Sequence, residues 1–207
     1  MFSDQDLAVM DSIIKRYPRS RSAIMPLLHY VQSKAGYVTN EGIELIAQLL
    51  TIETAEVSAV ATFYTQYKRK PVGEYHVGVC TNTLCAVMGG DAIFAGLKEH
   101  LGIENDGVTA DGKVSLEHIE CNAACDYAPV VMANWEFYDN QTVQSSKDLV
   151  DAMRQGNPPA PTRGPKTLPT WRENSAVLAG INDGRANEGV QAGEPTLLGL
   201  KLSKEGK

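Results

Sequence analysis

The four cysteines constrain this chain more than anything else in it. They fall as two close pairs, Cys80-x4-Cys85 and Cys121-x3-Cys125, with thirty-five residues between the pairs. Two short thiol-bearing loops that far apart meet only if a fold brings them together, and four thiolates at one point make a cofactor site. Disulfides within each pair would close trivially short loops, which constrain the unfolded chain little. In a reducing compartment, paired cysteines more often serve metal or redox chemistry. A Cys-x-x-Cys dithiol motif is absent. Two centres remain open. A four-cysteine zinc site accepts spacings of two to four residues. A two-iron cluster needs its thiolates spread wider than one metal does, and it suits the longer spacings found here.

The residues around the cysteines bear on the choice. Thr81, Asn82, Thr83, Ala86, Ala123 and Ala124 are small enough to let main-chain N–H groups approach sulfur. Gly89-Gly90 opens a helix whose positive end lies near the site, which favours an anionic centre. Neither loop contains histidine, so a mixed Cys/His two-iron centre is excluded. His118 stands three residues before Cys121 and either faces the centre or packs; His76 alternates outward on a strand; His29 and His100 read as helix-surface or satisfied core residues. An all-cysteine two-iron centre in an acidic chain should have a low reduction potential, about −400 mV.

Charge narrows the function further. The chain carries a net −6, divided as −8 over residues 1–155 and +2 from Gly156 onward. Such a balance argues against nucleic acid as a partner. The one basic cluster, Lys68-Arg69-Lys70, sits beside Pro71 and reads as a solvated linker. The longest apolar runs are a few residues, too short to span a bilayer. The first residues lack the basic and apolar regions of a signal peptide, so a cytosolic location is expected.

Periodicity divides the chain into three. Residues 1–70 read as a bundle of short helices. Ser3 caps a helix with Leu7, Met10, Ile13 and Ile14 on one face; Ser20 or Ser22 opens a second, closed by Gly36; Thr39 caps a third; and the fourth runs from about Thr54 to Tyr64. Phe63, Tyr64 and Tyr67 are expected near the junction with the next domain or with a partner. In residues 71–156 the period changes to two. Tyr75, Val77 and Val79 form a strand that delivers Cys80. A helix over Gly89 to Leu101, a strand through Val114, Leu116 and Ile119, a third over Val130 to Phe137, a short fourth, and a last helix ended by Gly156 complete a small α/β sandwich of thioredoxin-like type. The fold class is therefore α+β. Residues 157–207 hold six of the ten prolines and seven of the eighteen glycines, and read as an extended tail. In that reading Trp171, Leu178, Leu197, Leu198 and Leu200 are anchors that fill pockets on a neighbouring polypeptide.

The cysteine pattern, the leading helices, Gly36-Tyr37, Val60-Ala61-Thr62-Phe63-Tyr64, Pro71-Val72-Gly73, Val79-Cys80-Thr81-Asn82 and Ala128-Pro129-Val130 carry a family resemblance. Together they resemble the two-iron, thioredoxin-like ferredoxin subunits of bacterial proton-pumping NADH–quinone oxidoreductase, the respiratory complex I. The resemblance covers about residues 10–155. It implies a thioredoxin-like fold, a [2Fe–2S] cluster on Cys80, Cys85, Cys121 and Cys125, and single-electron exchange with a flavin. Its partners would be the flavin- and NADH-binding subunit and the large iron–sulfur subunit of a hetero-oligomer. The location implied is a peripheral arm on the cytoplasmic side of the membrane, with no direct membrane insertion. Ala123 stands where that family usually has Gly. The chain shows no Gly-rich dinucleotide fingerprint, in keeping with a flavin and NADH held by a partner. Two other functions are the same module in an NAD-linked formate dehydrogenase or hydrogenase, and a zinc-stapled structural adaptor.

Overall fold

A computed structural model describes residues 2–206, and the chain forms two compact units. One is the chain up to Val72 together with Trp171–Asp183; the other is Gly73–Thr170 with the chain from Gly184 onward.

The first unit is helical. It contains α1 (Asp4–Ile14), a 3-10 turn (Ser20–Ala23), α2 (Ile24–Ala35), α3 (Asn40–Leu50) and α4 (Thr54–Phe63). Capping sets the starts: Ser3 and Asp6 make a reciprocal capping box on α1, and Thr39 accepts from the Gly42 N–H on α3. Gly36, at φ +87°, ends α2 in the left-handed region where glycine is unstrained. Met10, Ile13, Leu27, Leu28, Val31, Ile46 and Val57 bury fully between the helices. At Gly42 a Cβ would lie 2.4 Å from Val31 Cγ1, so this glycine permits the close approach of α2 and α3.

The second unit is built on a five-stranded sheet in the order β2-β3-β1-β4-β5, with β1 (Tyr75–Cys80), β2 (Gly107–Val108), β3 (Val114–Ile119), β4 (Val131–Ala133) and β5 (Glu136–Tyr138). β1 and β3 are parallel, and the other pairs are antiparallel. Helices α5 (Thr83–Val87) and α6 (Gly90–Leu101) connect β1 to β2, and α7 (Val143–Arg154) follows β5. Tyr75, Val77 and Val79 point into the core that contains Ile93 and Leu97 of α6 and Leu149, Val150 and Met153 of α7. Cys80 belongs to a smaller cluster with Ile119, Val130 and Met132, against which Trp135 and Phe137 pack.

Several expectations are corrected. His76 does not point to solvent. It is buried, with Nδ1 2.8 Å from Ser115 Oγ, Nε2 2.8 Å from Glu117 Oε2, and its ring 5.9 Å from Trp135. Every residue of β1 is buried, because the strand is central in the sheet, so alternation there separates two covered faces. The strand expected over Val130 to Phe137 is instead the β4–β5 hairpin. Its two-residue turn has Asn134 at φ +49° and Trp135 at φ +69°, the double positive φ of a type I′ turn. Asn134 Oδ1 accepts the His76 N–H at 2.7 Å and its Nδ2 donates to the Pro169 carbonyl at 2.8 Å, which holds the turn without glycine.

The tail differs most. It contains α8 (Trp171–Leu178) and α9 (Glu194–Lys204) rather than a continuous extended run. Trp171 is 2% exposed and donates from Nε1 to the Gly36 carbonyl at 2.8 Å. It anchors within its own chain, because the helical unit supplies the apolar surface that the tail lacks. Pro195 lies in the first turn of α9, where a missing N–H costs nothing. Leu178, Leu197, Leu198 and Leu200 remain exposed.

Candidate functional site: two cysteine pairs

β1 ends at Cys80, whose N–H donates to the Val130 carbonyl at 3.2 Å. The chain then turns through Asn82, whose side-chain amide donates to the Ile119 carbonyl at 3.2 Å. This bond ties the first cysteine loop to the end of β3, where the second loop starts. Cys85 follows on α5, a short helix that spacing alone did not reveal. Gly89, at φ +114°, and Gly90 then start α6 against both cysteines: a Cβ on Gly90 would lie 2.4 Å from the Cys80 carbonyl oxygen and 2.9 Å from that of Cys85. The first pair therefore sits under the positive end of a twelve-residue helix.

The second pair follows β3. Cys121 and Cys125 lie with their sulfurs 3.6 Å apart, and the Ala123 N–H donates to Cys121 Sγ at 3.4 Å. Ala123 is at φ +55°. That left-handed conformation is disfavoured for any residue with a Cβ and explains why glycine suits the position. Cys125 opens a 3-10 turn, Cys125–Tyr127, and the peptide bond from Ala128 to Pro129 is cis.

All four cysteines are free. Cys80 and Cys85 are buried, whereas Cys121 and Cys125 are exposed. The Cys85 thiol is pushed up to about 11, first by burial, then by its hydrogen bond to Cys80 and by the charges of Cys80 and Cys125. Cys125 is raised chiefly by its hydrogen bond to Cys121, with burial, Cys121, Cys80 and Asp126 adding. The sulfurs of Cys121 and Cys125 thus pair directly, and the charge of Cys80 acts on both Cys85 and Cys125. Two sulfurs on one tetrahedral metal, with bonds of ~2.3 Å, lie ~3.8 Å apart, close to the spacing of the second pair. Among the described residues no three or more His, Cys, Asp or Glu side chains gather as a ligand set for one metal ion. Four cysteine thiolates are the donor number of an all-cysteine two-iron centre. Burial at Cys85 and the neighbouring Cys121 thiol at Cys125 thus favour the protonated form of these two thiols.

The histidines stay apart from this arrangement. His118 is exposed and stacks edge-on near Phe94, with ring centroids 6.1 Å apart. His100 pairs with Asp151 at 2.8 Å. His29 is buried against Tyr67, its Nδ1 without a hydrogen-bond partner. Sequence reasoning did not find Asp126, Tyr127 and Arg163 beside the second loop. A Tyr two residues past a cysteine carries no spacing signal, and Arg163 is brought in from the tail.

Comparison with known proteins gives a consistent result. The family described as thioredoxin-like [2Fe-2S] ferredoxin matches residues 10–154. A subunit of the NADH-quinone oxidoreductase of Mycobacterium bovis is 59% identical over 194 residues, which cover 93% of this chain and 77% of that protein. The correspondingly named protein of Rickettsia bellii is 41% identical over 156 residues, 74% of this chain and 93% of that one. Among solved structures, an NAD+-reducing [NiFe]-hydrogenase in the H2-reduced state shares the fold, with a TM-score of 0.56 and 17% identity over 65% of this chain, which spans 23% of the hydrogenase chain. With the family matched across most of its length and two cysteine pairs gathered at one end of a mixed sheet, the chain belongs to the thioredoxin-like [2Fe-2S] ferredoxins.

Proposed function

We propose that this chain is an electron-transfer subunit of an NADH–quinone oxidoreductase, in which Cys80, Cys85, Cys121 and Cys125 hold a [2Fe–2S] cluster. The observation that carries the reading is the Cys121–Cys125 sulfur pair, exposed and 3.6 Å apart, together with the two buried thiols of Cys80 and Cys85. When bound, the cluster supplies a one-electron store. The chain does the rest. Cys80 and Cys85 keep water from the inner side of the centre. The start of α6 offers a positive potential to an anion. The Ala123 N–H donates to Cys121 Sγ and so helps to orient that ligand. Exposure of Cys121 and Cys125 leaves a short path to a partner. NADH delivers a hydride, so a flavin on that partner must divide the electron pair.

The names of the Mycobacterium and Rickettsia relatives support the quinone-linked complex over a formate dehydrogenase or hydrogenase, because the hydrogenase likeness extends to the fold alone. The chain would then sit in a hetero-oligomer beside a flavin- and NADH-binding subunit and a large iron–sulfur subunit. No described helix is long and apolar enough to cross a membrane; the proposed place of the chain is a peripheral arm on the cytoplasmic side. Phe63, 76% exposed at the end of α4, is a contact residue suited to such a partner, whereas Tyr67 is buried and donates to the Met25 carbonyl at 3.1 Å. Low-temperature EPR of the dithionite-reduced protein, with iron and sulfide counts, tests the reading. Two irons and two sulfides per chain, lost in each Cys→Ser variant, are expected; a colourless protein with one zinc would refute it.

A further inference from the structure

The loop of the second pair has few bonds of its own. Within it the Ala123 N–H reaches Cys121 Sγ, and the Tyr127 N–H reaches the Ala124 carbonyl at 3.0 Å; the Asn140 N–H then binds the Tyr127 carbonyl at 2.9 Å. Other contacts come from far along the chain. Thr196 Oγ1, in the first turn of α9, donates to Asp126 Oδ2 at 2.7 Å. The backbone at Gly193 lies so close to Tyr127 that a Cβ there would be 1.8 Å from the hydroxyl oxygen. The Arg163 guanidinium lies over the rings of Phe137 and Tyr127, 4.3 and 5.3 Å from their centroids, and pairs with Asp139 at 2.7 Å. The two tail segments are joined to each other. The Gly164 N–H donates to the Val190 carbonyl at 3.3 Å, and a Cβ on Gly189 would lie 2.0 Å from the Gly164 carbonyl oxygen.

These contacts converge on Asp126 and Tyr127, the two residues that follow Cys125. We propose that Arg163, Gly193 and Thr196 form a clasp that positions the Cys121–Cys125 loop, so that the C-terminal segment governs how readily the metal centre is lost. The inference rests on the reading that these cysteines hold a two-iron cluster. The three are positioning residues, acting through the 3-10 turn that sets the direction of Cys125 Sγ. Opening that turn releases one ligand while the buried first pair stays in place.

Full-length Thr196→Val, Gly193→Val and Arg163→Gln test the clasp, with Thr196→Ser as the conservative control. Two quantities are measured: iron release from the cluster-loaded protein to a chelator, and amide hydrogen exchange across residues 121–128 in the loaded and metal-free proteins. Thr196→Val should speed iron release and exchange at residues 125–128 by about threefold to tenfold, as expected for one exposed hydrogen bond of ordinary strength. Gly193→Val and Arg163→Gln should act in the same direction, and Thr196→Ser should match the wild type. Exchange in β1 and β3 should not move. Wild-type exchange at residues 121–128 in all three variants overturns the clasp, as does a uniform rise across the whole sheet unit. A protein that binds no two-iron centre refutes the functional reading instead, and exchange in the metal-free protein still decides the clasp.

Discussion

Ala123→Gly tests how the second cysteine loop is built. Ala123 is exposed, so removing its Cβ loses no buried area. Its φ of +55° places it in the left-handed region, which costs a residue with a Cβ about 1–2 kcal/mol. Glycine removes that cost but adds freedom to the unfolded chain, worth about 0.4–1 kcal/mol. The balance is a gain of about 0.5–1 kcal/mol, or roughly 1–4 °C in Tm for a chain of this size. Ala123→Val is the matched opposite, because a β-branched side chain is a true outlier at such a φ, and it should destabilise by about 1 kcal/mol or more. Urea melts in a Trp171→Phe background would follow Trp135 as the remaining tryptophan, which reports on the sheet unit. Chelator-driven iron release gives a second readout, since the Ala123 N–H must keep its direction toward Cys121 Sγ. A lower urea midpoint for the glycine variant, or an unchanged one for the valine variant, would refute the strain argument.

Three other predictions concern separate parts of the chain. Burial without a partner lowers His29 to about 4, below the usual ~6.5. The unfolded chain therefore binds the proton first. This contribution to stability is complete above pH ~6.5 and is lost as pH falls toward 4, by about 3 kcal/mol in total. Urea midpoints of the metal-free protein between pH 7 and 4 should show this loss, and His29→Leu should flatten it. Gly90→Ala places a Cβ 2.4 Å from the Cys80 carbonyl oxygen, so iron per chain should fall well below wild type. Full occupancy with an unchanged melting curve would contradict the close packing of α6 on the first pair. Trp171→Ala removes a side chain that is 2% exposed and should cost the helical unit about 3–5 kcal/mol, seen as early loss of helical circular dichroism. The EPR signal should be retained, because Trp171 belongs to the unit without cysteines.

The sequence by itself determined the elements whose signal is local. Ser3 and Thr39 announce helix starts, Gly36 a helix end, and Tyr75, Val77 and Val79 a strand running to Cys80. The cysteine spacing narrowed the centre to zinc or two irons and suited the wider spread of the latter, because ligand number and spread follow from the metal. Tertiary structure decided what depends on residues far apart in the chain. Alternation in β1 shows two faces, but only the sheet order makes the strand central and encloses His76 between Ser115 and Glu117. The hairpin at Asn134-Trp135 lacks the glycine that marks such turns; its positive φ values persist because Asn134 bonds to His76 and to Pro169. The tail has too little apolar surface for a core of its own, which its composition records. That Trp171 would join a helix ending at Gly36, and Thr196 a turn after Cys125, is recorded in neither segment alone. Periodicity and capping follow from a residue's near neighbours, while burial of a single side chain depends on which distant surface arrives to cover it.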